Sequence, residues 1–109
     1  MTTQPATTTE KTKMAKSEEV KDERSQDIEN TRKLLTLLIR ALVDNPAEVK
    51  IQTICGSQAV IYEIRVDPDD VRRVIGRKGR TADAVRELLT NLGSKAGGRF
   101  LLEILEPEG

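Results

Sequence analysis

An α+β domain in the order α-β-β-α-α-β, with a three-stranded mixed sheet covered on one face by three helices, is what the 109-residue sequence predicts. Three observations predict it. Apolar residues recur at helical spacing from Thr31 to Val43 and again from Arg80 to Leu92. Between these segments, two alternating runs separated by Gly56-Ser57 read as a hairpin. A final alternating run, Arg99 to Leu105, follows a pair of helical segments long enough to form a crossover. That makes the last two strands parallel and the connection right-handed.

The first helix carries Leu34, Leu35, Leu37, Leu38, Ala41 and Leu42, and Asp44-Asn45-Pro46 ends it, because a residue before proline is pushed out of the α region. In the hairpin, Val49, Ile51, Thr53 and Cys55 alternate with Lys50, Gln52 and Ile54, and Val60, Tyr62, Ile64 and Val66 alternate with Ile61, Glu63 and Arg65, the first-named set of each on the buried face. Cys55 is therefore expected as a small buried hydrophobe. Asp67-Pro68-Asp69-Asp70 opens the next helix: Asp67 can cap it, Pro68 suits its first position, and Asp69 and Asp70 suit the positive end of its dipole. Its apolar face is Val71, Val74 and Ile75, and Gly76 stops it. The third helix is expected to bury Ala84 (or Thr81), Val85, Leu88, Leu89 and Leu92 and to close at Gly93, with Ser94–Gly98 as a connector. On the last strand, Phe100, Leu102 and Ile104 share a face.

Residues 1–30 contain few large apolar side chains, namely Met14, Val20 and Ile28, so the stretch cannot bury enough surface to offset its ordering entropy. The expected organisation is a disordered charged tail over 1–30 and one domain over 31–106. Within the tail, 15–30 has the charges for a transient helix but no apolar stripe to dock, and Met14 opens a segment that can serve as an alternative start.

Composition excludes several classes. There is one cysteine and no histidine, so neither an internal disulfide nor a Cys/His metal site is expected, and no cofactor site is visible. No run of about 18 apolar residues suggests a membrane span, and the Thr- and Lys-rich start lacks the apolar core of a secretory signal. A soluble, intracellular protein is the expectation. An enzyme is not: no activated nucleophile is in evidence, and Lys78 is followed by Gly79 rather than the Ser or Thr of a phosphate-binding loop. Asp69 and Asp70, the one acidic pair that invites a catalytic reading, are accounted for by helix capping.

Formal net charge is zero, but the tail carries five basic and seven acidic residues, leaving thirteen and eleven for residues 31–109. Nucleic-acid binding then needs a local patch. From Val71 to Arg80 there are five basic residues and no acid: Arg72, Arg73, Arg77, Lys78 and Arg80. Inside this run lies Gly76-Arg77-Lys78-Gly79. A bare Gly-x-x-Gly has little weight, because glycine at ~7% of residues produces about half an instance by chance in a chain this long. Its setting, between two helices and with two cations at the tip, gives it weight.

Glycines allow close approach of a sugar-phosphate chain, and a helix N-terminus offers N–H groups and a positive dipole end to a phosphate. Arg77 and Lys78 add charge, Arg73 and Arg80 flank them, and Ile75 is the candidate to line a groove for bases. Arg72, Arg73 and Arg86 are equally well read as a solvated face. Tyr62 and Phe100 are the only aromatics and both face the core, which argues against a platform of stacked bases.

The stretch Val74-Ile75-Gly76-Arg77-Lys78-Gly79-Arg80-Thr81 resembles the K-homology (KH) signature, whose loop clamps about four nucleotides of single-stranded RNA. Together with Leu42–Val49, it makes Leu34 to Leu105 similar to the KhpA (YlqC) family of small bacterial KH proteins, of the type II order. The resemblance implies a cytoplasmic RNA-binding protein, an RNA chaperone or post-transcriptional regulator linked to cell-shape and cell-wall control. It also implies a homodimer, or a heterodimer with a larger KhpB/Jag-like KH protein. Ile75, Gly76, Arg77, Lys78, Gly79, Arg80, Thr81 and Arg73 are the RNA-binding candidates. The rival reading is an interaction or dimerisation module with weak RNA binding, because the apolar residues of the first helix cover more than one stripe. The long tail departs from the family.

Overall fold

The computed structural model describes residues 16–106, with side chains from residue 23 onward. Six main elements follow the expected order: α1 (Lys16–Leu42), β1 (Lys50–Cys55), β2 (Ala59–Arg65), α2 (Val71–Ile75), α3 (Arg80–Ala96) and β3 (Arg99–Ile104). The sheet order is β1-β2-β3. β1 and β2 are antiparallel, with Ile51 opposite Ile64 and Thr53 opposite Tyr62. β2 and β3 are parallel, with Val60 beside Phe100 and Ile64 beside Ile104. The mixed sheet predicted from the crossover is present.

Helix α1 corrects the expected boundary. It begins at Lys16 rather than Thr31, so the second half of the expected tail is helical, while residues 1–15, Met14 included, lie outside the described residues. The part of this extension that docks does so through Ile28, whose isolation in a polar stretch hid its register. One heptad before Leu35 and one turn before Thr31, it packs against the cluster of Leu35, Val60, Tyr62, Val85, Leu89 and Phe100. Two further contacts secure this end of α1. The Tyr62 hydroxyl donates to the Ile28 carbonyl at 3.0 Å, and Lys95 Nζ reaches Asp27 Oδ1 at 3.1 Å.

The remaining core is a second cluster of Ile39, Val43, Val49, Ile64, Val66, Val71 and Val74. It joins α1, the hairpin and α2 beneath the same sheet face. Tyr62 and Phe100 meet edge to face at 5.4 Å between centroids, the arrangement favoured by their quadrupoles.

Several expected positions move. Cys55 is exposed, because it ends an edge strand beyond the helical cover. On α3 the buried residues are Ala82, Val85, Leu89 and Gly93; Ala84 and Leu88 face outward and Leu92 is half-buried. Gly93 does not close the helix. It lies inside it, where a Cβ would come within 2.7 Å of the Phe100 amide nitrogen, so it permits close packing of α3 on β3. The helix stops at Gly97, in the left-handed conformation, whose N–H returns to the carbonyls of Gly93 and Ser94.

Burial pushes the Tyr62 phenol up to about 12, whereas an unfolded tyrosine titrates near ~10. The unfolded chain thus loses this proton first, so Tyr62 contributes its full stability below pH ~10 and loses it as pH rises toward about 12. Tyr62→Phe should cost about 1 kcal/mol for the lost hydrogen bond to Ile28 and flatten the alkaline limb of a denaturation–pH profile. An unchanged alkaline limb would remove Tyr62 as its source.

Candidate nucleic-acid interface

The segment from Val66 to Thr81 is built from short turns. Asp67 caps the turn Pro68–Asp70, accepting from the Asp69 amide at 2.9 Å, as its sequence position predicts. Val71 and Val74 then anchor α2 in the core, and Ile75 packs half-buried at its edge.

Asp70 does more than favour a helix dipole. Its side chain is 1% exposed and accepts from the Asp44 amide at 3.1 Å, and from the Asn45 amide and Asn45 Nδ2 at 3.0 Å each. Burial alone would raise the Asp70 carboxyl; these hydrogen bonds and the nearby Arg73 guanidinium outweigh it and hold the group below the usual carboxylate value. Arg73 Nε donates to Asp70 at 3.3 Å and its terminal nitrogen sits 2.8 Å from Asp44 Oδ2. The structure therefore assigns Arg73 two carboxylate partners at the base of α2. It does not place Arg73 among the unpaired cations of the loop.

The loop itself turns in three residues, Arg77–Gly79. Gly76 has φ 83° and ψ 171°. A Cβ there would lie against Thr81, 2.6 Å from its Cβ and 2.8 Å from its amide nitrogen. This glycine is thus demanded twice, by its own positive φ and by the packing of Thr81 behind the loop. At Gly79 φ is likewise positive, 74°, but nothing lies within 4 Å of a Cβ built there. Its conformation, rather than space, calls for glycine.

Lys78 has φ 57° and ψ 26°, the one non-glycine residue at positive φ among those described. A left-handed L-residue costs roughly 1–2 kcal/mol. Lys78 therefore holds its place in the turn at a conformational cost.

The amides of Gly79 and Arg80 are used within the turn, donating to the carbonyls of Gly76 (3.1 Å) and Arg77. Those of Arg77 and Lys78, at the tip, have no backbone acceptor among the described residues. Arg77, Lys78 and Arg80 are exposed, as is Arg72, and none pairs with a carboxylate among the described residues. Arg86 instead pairs with Asp83 at 3.2 Å. The site is an exposed tip with three cations and, among the described residues, two unpaired amides on a base fixed by Asp70 and Thr81. Sequence reasoning missed Asp70 and Asp44; the signal available was Asp44-Asn45-Pro46, read only as a helix stop. Among the described residues no cluster suits a metal ion, and no helix is long and apolar enough to cross a membrane.

The sequence pattern of the KhpA/KhpB KH domain matches residues 32–104. The chain is 45% identical over 73 residues to the RNA-binding protein KhpA of Aquifex aeolicus, covering 67% of this chain and 92% of that protein. It is 42% identical over 77 residues to the RNA-binding protein KhpA of Borreliella burgdorferi, covering 71% and 94%. Its match to the RNA-binding protein KhpA of Chlamydia pneumoniae is 40% identical over 75 residues, covering 69% and 96%. No solved structure matches the chain at a significant level. On sequence and on the order of its elements alike, the chain belongs to the KhpA/KhpB family of KH domains.

Proposed function

We infer that the chain binds single-stranded RNA through the Gly76–Gly79 loop. The observation that carries this reading is the tip geometry: free amides at Arg77 and Lys78, beside unpaired cations, with Lys78 held in a strained conformation. The relatives named as RNA-binding proteins support it. The phosphate is bound by the amides and the Arg77, Lys78 and Arg80 side chains, and the half-buried Ile75 offers apolar surface to a base. Contacts of this kind read backbone more than sequence. That suits an RNA chaperone or post-transcriptional regulator in the cytoplasm, which must bind many transcripts reversibly.

A second reading coexists with the first. Leu37 is 67% exposed on α1, with Leu34 at 43% beside it and Leu88 at 41% on α3. Large apolar side chains left in water on two adjacent helices favour a protein contact. A homodimer, or a heterodimer with a larger KhpB/Jag-type KH protein, would cover them while leaving the loop free.

Replacing Arg77 and Lys78 together with Asp should preserve the circular dichroism spectrum and weaken RNA binding by about thirtyfold or more, given two lost phosphate contacts near 0.1 M salt. A folded variant that binds as before ends the loop assignment. Lys78→Gly separates charge from conformation: stability should rise by up to about 1 kcal/mol as the left-handed strain is relieved, while RNA affinity falls about fivefold. Loss of both, measured by denaturation and anisotropy, would contradict the strain argument. Sedimentation should show self-association that Leu34→Ser with Leu37→Ser removes; a wild-type monomer at high micromolar concentration would exclude the homodimer.

A further inference from the structure

The geometry points to a second contact for the same RNA strand: a cleft at the end of the sheet, with Lys50, Arg65 and Leu105, that takes the phosphates of nucleotides running past the loop. This extends the assignment of the Gly76–Gly79 loop and rests on it.

Lys50 and Arg65 are direct partners across the β1–β2 ladder, and both are exposed. Like charges directly opposite one another on a sheet repel. Neither has a carboxylate within ion-pair distance among the described residues. A cationic pair of this sort is a liability in the free protein and a ready site for an anion set between the two side chains.

The surface around the pair is shaped to continue a strand. One depression is bordered by Lys50, Gln52, Glu63, Arg65 and Leu105. A second, bordered by Arg65, Val66, Pro68, Leu105 and Glu106, shares Arg65 and Leu105 with it. Together they form a track from the open sheet face around the end of β2 to Pro68. Pro68 begins the turn that leads into α2, whose five residues span only about 8 Å before Gly76. The half-buried Leu105, held by its amide to the Ile64 carbonyl at 2.9 Å, supplies an apolar floor for a base. Glu63 and Glu106 border the track and steer phosphates toward the Lys50–Arg65 side.

The test compares RNA oligonucleotides of about four nucleotides, enough for the loop alone, with oligonucleotides of about ten, by anisotropy on the full chain. Wild type should bind the longer RNA more tightly. Lys50→Gln with Arg65→Gln should leave short-RNA binding unchanged, weaken long-RNA binding about ten- to thirtyfold, and reduce the salt slope for long RNA by about 1.4. No gain with length in wild type, or a gain that the double variant keeps, overturns the proposal while the loop assignment stands. That outcome would leave an acidic protein segment as the anion for the pair. If neither RNA binds the wild type, the loop assignment fails and takes this extension with it.

Discussion

A carboxylate almost wholly removed from water, that of Asp70, receives the amides of Asp44 and Asn45 and the Asn45 side chain. Through it the C-terminal end of α1 is tied to the base of α2. A helix of five residues has no independent stability, since nucleation costs more than so few hydrogen bonds return. The position of α2, and of the loop at its end, is therefore set by tertiary contacts: Val71 and Val74 in the core, and Asp70 at its start. Arg73 completes the arrangement by spanning Asp70 and Asp44, so one of the five cations in the basic run serves the scaffold and not the surface.

The loop divides its tasks among residues that look equivalent in sequence. Two glycines bound the tip and both hold a positive φ, yet only Gly76 is also required by the Thr81 side chain behind it. Two cations occupy the tip, yet only Lys78 holds a left-handed conformation to be there. The result is a small exposed surface whose donors are left unpaired because the scaffold has already satisfied their neighbours.

Much of this was legible from residues. Alternation with a Gly-containing turn located both hairpin strands, and the crossover argument fixed the parallel pairing of β2 and β3. The inward positions of Tyr62 and Phe100 followed from the same alternation. What escaped did so for identifiable reasons. Ile28 is a single apolar residue in a charged stretch, and its value comes from the packing surface it meets one heptad before Leu35, which local composition does not reveal. Gly93 reads in sequence as a helix stop because a glycine near a helix end usually is one; the close approach of β3 is a tertiary fact. Cys55 alternates with its strand but sits past the edge of the helical cover. Asp70 was explained by the nearest local rule, capping, while its partners lie 25 and 26 residues away. Arg77 and Lys78 lie exposed in the turn between α2 and α3; the distinction between Arg73 and its neighbours needed coordinates.

The tip lies within the crossover between two parallel strands. Antiparallel neighbours can zip from a tight turn, but β2 and β3 cannot pair until the intervening helices have compacted against them. Assembly of the sheet and creation of the tip are for that reason one cooperative event. A chain caught midway in folding, or stripped of β3, has the hairpin but no formed recognition surface, so competence to bind arrives with the native state and not before it.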